Sequence, residues 1–127
     1  MFNHILVPTD GSKLSEKAIR QAVKIAKKTN ARITALHVVQ KVHAYDYPLE
    51  LMQRTAEELE QTDAEQAEQY LRFAQRVAHG SGVACEVMQT TSDKPYREII
   101  KAAEKNGCDL ILMASHGRRG IEGFLLG

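Results

Sequence analysis

Four short apolar runs alternate with segments of helical periodicity, and this alternation constrains the fold more than any other feature of the chain. The runs cover residues 4–7, 33–39, 83–88 and 109–114. Each segment between them is long enough for a helix and repeats apolar residues at helical spacing. A βαβαβαβ order with right-handed crossovers predicts an α/β fold with a doubly wound parallel sheet.

Turn and capping residues mark where the predicted helices begin and end. Ser12 is a suitable N-cap for the first helix, and the second is predicted from Leu49 to about residue 79. Asp93 is predicted to cap the third helix, with Pro95 in its first turn, where a missing N–H group costs little. The pair at 106–107, Asn-Gly, is typical of a helix C-terminus.

Length and composition exclude several classes of protein. A chain of 127 residues suits one domain, predicted over residues 1–127. Since 17 Lys and Arg residues face 16 Asp and Glu residues, charge gives no reason to expect nucleic acid or a membrane surface as partner. Apolar runs stay below the roughly 18 residues of a membrane span, and no leader is recognisable, so we expect the cytoplasm. Cys85 and Cys108 lack metal-site spacing and are expected as reduced, buried residues.

Glycine is concentrated directly after the fourth predicted strand. Four of the eight glycines fall in the last eleven residues. Glycines allow backbone N–H groups to approach an anion closely, and the segment 114–120 adds a hydroxyl, an imidazole and two guanidinium groups that suit phosphate. This position favours a phosphate-binding loop over the alternative, a flexible glycine-rich tail.

Asp10 is the candidate polar residue after the first strand. Doubly wound sheets bind ligands beyond the carboxyl ends of their strands, where the strand order reverses. A carboxylate there can accept hydrogen bonds from ribose hydroxyls, but an aspartate in a turn or at a helix cap is equally compatible with this position. Known glycine-rich phosphate motifs do not fit the first turn. His37, near the end of the second strand, is expected to be hydrogen-bonded within the fold rather than to bind a metal or other ligand.

Three stretches carry a resemblance to a known family. They read VPTDGS at 7–12, ALHVV at 35–39 and DLILMASHG at 109–117, and the likeness continues to FLLG at 124–127. With these motifs the chain resembles the universal stress proteins from His4 to its last residue. The resemblance implies a Rossmann-like single domain of the adenine nucleotide alpha-hydrolase type.

The resemblance extends to the family's ATP-binding branch, with one departure. That branch is marked by Gly, two residues, Gly, nine residues, then Gly followed by Ser or Thr. Gly117 and Gly127 match the second and third glycines, whereas Ala114 stands in place of the first. The methyl group of Ala114 either crowds a close backbone approach or is tolerated at negative φ, and the sequence leaves both open.

The resemblance also implies where a nucleotide would lie. The residues after the first strand would flank adenosine, with Asp10 on the ribose, and Val38 would contact adenine. Residues at the end of the fourth strand and beyond it would frame the ribose and phosphates. His116, Arg118 and Arg119 are our own additions, chosen for their phosphate chemistry, and a surface or structural role is equally compatible with each of them. The predicted nucleotide-binding residues are Pro8, Thr9, Asp10, Val38, Met113, Ala114, Ser115, His116, Gly117, Arg118, Arg119 and Gly127.

The leading functional hypothesis is a homodimeric stress-response protein that binds ATP at the sheet's switch point and signals to a protein partner. A divalent ion, Mg²⁺ or Mn²⁺, is expected with the phosphates. No nucleophile paired with a base is recognisable, so we predict no catalytic residues and no protein-held metal. The alternative is a dimeric interaction module of the same fold without nucleotide binding, which Ala114 favours.

In the family a further helix and a fifth strand follow, and that strand commonly pairs subunits into a dimer. We therefore expect a segment of roughly twenty residues beyond residue 127. Without it, the fourth strand would be an unprotected edge of the sheet.

Overall fold

The computed structural model describes residues 2–40, 56–114 and 124–126, and it has a central sheet with helices on both faces. The strands are β1 (His4–Pro8), β2 (Arg32–Val39), β3 (Cys85–Thr91), β4 (Leu110–Ala114) and β5 (Phe124–Leu126). The helices are α1 (Lys13–Thr29), α2 (Ala56–Gly80) and α3 (Pro95–Lys105).

The strand order confirms the predicted doubly wound sheet. It runs β3-β2-β1-β4-β5, with β1 parallel to both β2 and β4, and β2 parallel to β3. The chain builds outward from β1 to one side and then crosses to the other, so the order reverses between β1 and β4. Sheets of this type bind ligands in the crevice at this reversal, beyond the carboxyl ends of the strands.

One strand was not predicted from the sequence. β5 pairs antiparallel with β4, with Leu112 opposite Leu126 and Ala114 opposite Phe124. The expectation that β4 would form an unprotected edge is therefore wrong, because the apolar residues 124–126 return to cover part of it.

Helix α1 begins at the cap that its sequence predicts. The Ser12 side chain accepts the Ser15 N–H at 3.1 Å, which satisfies one of the unpaired donors of the first turn. Asn30 closes the helix in the left-handed conformation at φ 59°, and its N–H donates to the Ala26 carbonyl. The buried face includes Ile19 and Val23.

Helix α3 corrects one predicted cap. It begins at Pro95, and its N-cap is Lys94, without a side-chain cap, so the prediction of Asp93 is wrong. Because proline has no N–H, the first turn has one fewer donor to satisfy, and the Ser92 hydroxyl accepts the Lys94 N–H at 3.1 Å. The predicted C-terminal pair is confirmed: Asn106 is the C-cap, and the glycine after it has a φ of +68°.

Strand β3 begins two residues later than its apolar run predicted and extends to Thr91. The Val83 N–H donates to the Ala78 carbonyl at 2.9 Å, so Val83 belongs to the end of α2 rather than to the sheet. Helix α2 ends at Gly80, near the predicted end, while its predicted start at residues 49–55 lies outside the described residues.

Alternate residues of the strands supply two apolar clusters. Ile5, Val7 and Leu112 pack on the face covered by α1 and α2, whereas Leu6 and Leu36 pack on the face covered by α3. Because successive side chains of a strand point to opposite faces, strands covered on both sides need the continuous apolar runs seen in the sequence.

The edge of the sheet at the amino ends of β1 and β4 is tied together by hydrogen bonds. The Asp109 carboxylate accepts the N–H groups of His4 at 3.0 Å and Asn3 at 2.8 Å, and these bonds hold its pKa below the usual range. The buried His4 ring contacts the Asn106 carbonyl at 3.0 Å and the Thr34 hydroxyl at 2.6 Å. This edge is therefore structural.

Both cysteines are free thiols: Cys85 is buried and Cys108 is half-buried. Burial raises the pKa of the Cys85 thiol to about 11, so it stays protonated near neutral pH. Across the described ranges, no helix combines the length and apolar character needed to cross a membrane.

Candidate functional site

A cavity of about 520 Å³ lies at the carboxyl ends of β1, β2 and β4. It occupies the edge at which the strand order reverses, opposite the edge tied by Asp109. Strand ends form its floor, and residues of α1, α2 and α3 contribute to its walls. The described residues that line it are Pro8, Thr9, Asp10, Ser15, Leu36, His37, Val38, Val39, Gln40, Asp63, Gln66, Tyr70, Pro95, Ile99, Met113 and Ala114.

The structure brings half of the predicted site residues together in this one cavity. They come from the ends of three different strands, and they are Pro8, Thr9, Asp10, Val38, Met113 and Ala114. The other predicted residues lie outside the described ranges, and they are Ser115, His116, Gly117, Arg118, Arg119 and Gly127.

One side of the cavity is apolar. Leu36, Val38, Ile99 and Met113 all belong to the cluster that packs between the sheet and α3. Such a surface suits a flat, largely apolar group, because its burial removes apolar area from water.

The opposite side is polar and was not found from the sequence. Asp63, Gln66 and Tyr70 lie three and four residues apart on α2, and so share one face of that helix. The spacing was visible in the sequence. That this face overhangs the strand ends depends on how α2 packs on the sheet, which the spacing does not reveal.

The turn after β1 places Asp10 at the cavity. Its carboxylate accepts the Ser12 N–H at 2.9 Å, which confirms the structural role weighed for this residue. A carboxylate has about four acceptor positions, and the bond from Ser12 uses one of them.

Hydroxyl groups beside Asp10 link the residues of the turn through hydrogen bonds. The Ser15 hydroxyl donates to the Ser12 carbonyl at 2.8 Å. Its oxygen is then the acceptor for the Thr9 hydroxyl at 3.1 Å, while the Thr9 oxygen accepts the Gly11 N–H at 3.2 Å. Each hydroxyl thus has a hydrogen-bond partner within the protein.

Gly11 is required by both its conformation and its neighbour. Its φ is +80°, and a Cβ atom built on it would overlap the ring of Tyr70. Glycine therefore lets α2 approach the turn that carries Asp10.

Replacing Gly11 with alanine should lower the free energy of unfolding by more than the roughly 1–2 kcal/mol expected from a left-handed backbone alone. The excess comes from displacing Tyr70. Urea denaturation measures the change. Gly82→Ala is the matched control, because Gly82 has a φ of +74° and nothing within 4 Å of the added methyl. Equal losses in the two variants would contradict the close contact with Tyr70.

His37 is hydrogen-bonded as expected of a strand-end histidine. Its Nδ1 lies 2.7 Å from the Thr9 carbonyl oxygen, and its ring meets that of Tyr70 edge-on, with centroids 5.3 Å apart. Because a carbonyl only accepts, Nδ1 carries the proton. His37 therefore joins β2 to the turn after β1.

The charged residues on the described walls of the cavity are acidic. Asp10 and Asp63 line the cavity, and no Lys or Arg appears among its described residues. Within those residues, no cluster of three or more His, Cys, Asp or Glu side chains is suited to a metal ion. This part of the cavity therefore suits an uncharged, donor-rich group better than a polyphosphate.

Comparison with known proteins identifies the relatives of this chain. The model of the universal stress protein family matches residues 1–127. Universal stress protein MJ0531 of Methanocaldococcus jannaschii is 32% identical over 127 residues, which are 100% of this chain and 72% of the relative. YxiE of Bacillus subtilis, also a universal stress protein, is 30% identical over 131 residues, covering 100% and 88%.

Solved structures share the fold. Universal stress protein UspA of Lactobacillus plantarum superposes with a TM-score of 0.74 at 28% identity, over 95% of this chain and 85% of that one. Two others match at lower identity and bear on the fold alone. A family protein of Arabidopsis thaliana with AMP bound has a TM-score of 0.67 at 19% identity, over 91% and 78%. A universal stress protein in complex with cAMP has a TM-score of 0.65 at 22% identity, over 87% of this chain and 74% of that one.

Proposed function

The chain belongs to the universal stress protein family, and we propose that its cavity binds an adenine nucleotide, with ATP as the leading candidate. The observation that carries the proposal is the meeting of Pro8, Asp10, Val38 and Met113, from three strand ends, in one cavity. Its volume of about 520 Å³ falls within the range of small-molecule sites. Two proteins of the same fold hold adenosine monophosphates, AMP in one and cAMP in the other.

The two sides of the cavity suit different parts of the nucleotide. Adenine lies on the apolar side near Val38, where its flat ring replaces water against aliphatic groups. The ribose hydroxyls donate to Asp10. The phosphates leave towards the segment after β4, where Arg118 and Arg119 are the nearest cations in the sequence.

The position of Ala114 supports nucleotide binding over its loss. Ala114 lies in β4, paired with Phe124, and Asn30 alone among the described non-glycine residues has a positive φ. The backbone at this position therefore does not demand glycine. The negative φ of Ala114 thus favours nucleotide binding over the alternative, a dimeric module without nucleotide.

We further propose that the protein acts by binding rather than by catalysis, as a cytoplasmic homodimer with a protein partner. The hydroxyls of Thr9 and Ser15 donate to protein acceptors, which supports a site without a nucleophile. Mg²⁺ or Mn²⁺ arrives with ATP and is held mainly by the phosphates, since these ions prefer oxygen ligands and retain water.

Asp63 should oppose the negative charge of the phosphates. Asp63→Asn is expected to tighten ATP binding about 2- to 5-fold and leave adenosine binding unchanged, because removing one repulsion across several ångströms of water is worth about 0.5–1 kcal/mol. Fluorescence or calorimetric titration at low salt measures both affinities, and added salt should reduce the difference.

The control for Asp63 is Glu86→Gln, since Glu86 is exposed on β3 and does not line the cavity. An equal change for ATP and adenosine in Asp63→Asn would contradict the electrostatic explanation.

The nucleotide content of the purified protein tests the proposal. The protein is denatured and the supernatant is chromatographed against adenine and guanine nucleotide standards. An adenine nucleotide in the supernatant supports the assignment. A guanine nucleotide in its place would contradict the assignment of adenine.

A further inference from the structure

We propose that His37 is a positioning residue for the proposed nucleotide site: it donates Nδ1–H to the Thr9 carbonyl and so orients Asp10. This inference rests on the proposed function. It concerns a residue that lines the cavity but is not among the residues assigned to the nucleotide.

The hydrogen bond acts on the peptide unit that leads into Asp10. The Thr9 carbonyl is part of the planar group linking Thr9 to Asp10, so its direction fixes how Asp10 leaves the strand. The distance of 2.7 Å between Nδ1 of His37 and the Thr9 carbonyl oxygen is at the short end of the usual range for N–H···O bonds.

Thr9 is held on its other side as well. Its N–H donates to the Leu36 carbonyl at 2.8 Å. Consecutive residues of β2, Leu36 through its backbone and His37 through its side chain, thus bind both backbone polar groups of Thr9. The turn has little freedom to rotate before Asp10.

Because Thr9 is buried, loss of the hydrogen bond from His37 is unfavourable. Thr9 is only 5% exposed, so its carbonyl has little access to water if the imidazole is removed. A buried acceptor without a partner is unfavourable, and the turn would rotate to regain one.

Tyr70 holds the imidazole from the side of α2. The two rings meet at 73° with centroids 5.3 Å apart, an edge-to-face arrangement that favours one ring orientation. The Tyr70 ring also covers Gly11. Helix α2 therefore supports both the donor and the turn that it orients.

Two substitutions separate the hydrogen bond from the packing. His37→Phe keeps a ring against Tyr70 but removes the donor, whereas His37→Asn keeps an N–H near the position of Nδ1 and removes the ring. We expect ATP affinity to fall about 5- to 10-fold in His37→Phe, as for a lost buried hydrogen bond, and less than 2-fold in His37→Asn. Calorimetric titration with ATP and Mg²⁺ gives both values, with folding checked by thermal denaturation.

A double-mutant cycle tests whether His37 acts through Asp10. In an Asp10→Ala background, His37→Phe should change ATP affinity less than 2-fold, because the side chain that it orients is already absent. His37→Leu is the second donor-free variant if the phenylalanine variant does not fold.

The other outcomes overturn the inference. A greater loss in His37→Asn than in His37→Phe, or equal losses in both, would assign His37 to packing against Tyr70. Unchanged affinity in both, or full additivity with Asp10→Ala, would likewise reject positioning. Absence of ATP binding by the unsubstituted protein would instead reject the proposed function, so the two failures are distinguishable.

Discussion

Replacing Asp10 with alanine should weaken ATP binding about 10- to 100-fold, the largest functional effect expected of any single substitution in the described cavity. Hydrogen bonds to a charged group contribute about 1.5–3 kcal/mol each, and 1.4 kcal/mol is tenfold in affinity. The carboxylate also accepts the Ser12 N–H at 2.9 Å, so the substitution loosens the turn beside the ligand. Calorimetric titration with ATP and Mg²⁺ measures the change.

Two controls separate a ligand contact from a general loss of the fold. Glu86→Ala removes an exposed carboxylate outside the cavity and should leave the affinity unchanged. Asp10→Asn keeps an oxygen acceptor for Ser12 while removing the charge. Its ATP affinity should lie between those of the unsubstituted protein and Asp10→Ala. Binding by Asp10→Ala equal to that of the unsubstituted protein would show that the aspartate only shapes the turn.

Truncating Leu112 should give the largest loss of stability, about 3 kcal/mol in the free energy of unfolding. Leu112 is 0% exposed, in the cluster between the sheet and the helices α1 and α2. Leucine-to-alanine changes at such sites lose both the transfer free energy and the contacts around the new cavity. Urea denaturation followed by circular dichroism measures it.

Ile100→Ala is the matched control for Leu112, since it removes a comparable aliphatic group. Ile100 lies on α3 and is 51% exposed, so less apolar area returns to water and no internal cavity forms. Its stability should change by less than about 1 kcal/mol. A similar loss in both variants would contradict the placement of Leu112 in the core.

The sheet was predictable because its signal is local. Buried strands read as apolar runs, and the segments between them repeat with the helical period, so chirality and crossover rules leave few topologies. The Ser12 cap of α1 follows from the same local chemistry.

The predictions that were wrong depend on competition between neighbouring structures. Val83 is apolar enough for a strand, yet its N–H closes the end of α2. Asp93 has a capping side chain, yet the helix begins at the proline two residues later. β5 arises from a pairing with β4 that no pattern within 124–126 reveals.

Six of the sixteen described residues that line the cavity were predicted from the sequence, because parallel strands bring their carboxyl ends to one edge. The polar wall of Asp63, Gln66 and Tyr70 was missed for a physical reason: its position depends on how far α2 extends past that edge and on the Gly11 turn that lets it approach. The link from His37 to Thr9 joins residues 28 positions apart, and hence also depends on the assembled sheet.

Direct titration of the nucleotide-free protein with ATP and Mg²⁺ tests the central claim, that this cavity is an adenine nucleotide site. The account predicts a saturable isotherm with one nucleotide per chain, displaced by AMP and weakened in Asp10→Ala. No saturable binding up to millimolar ATP would contradict the account, and would leave the protein as an interaction module of the same fold.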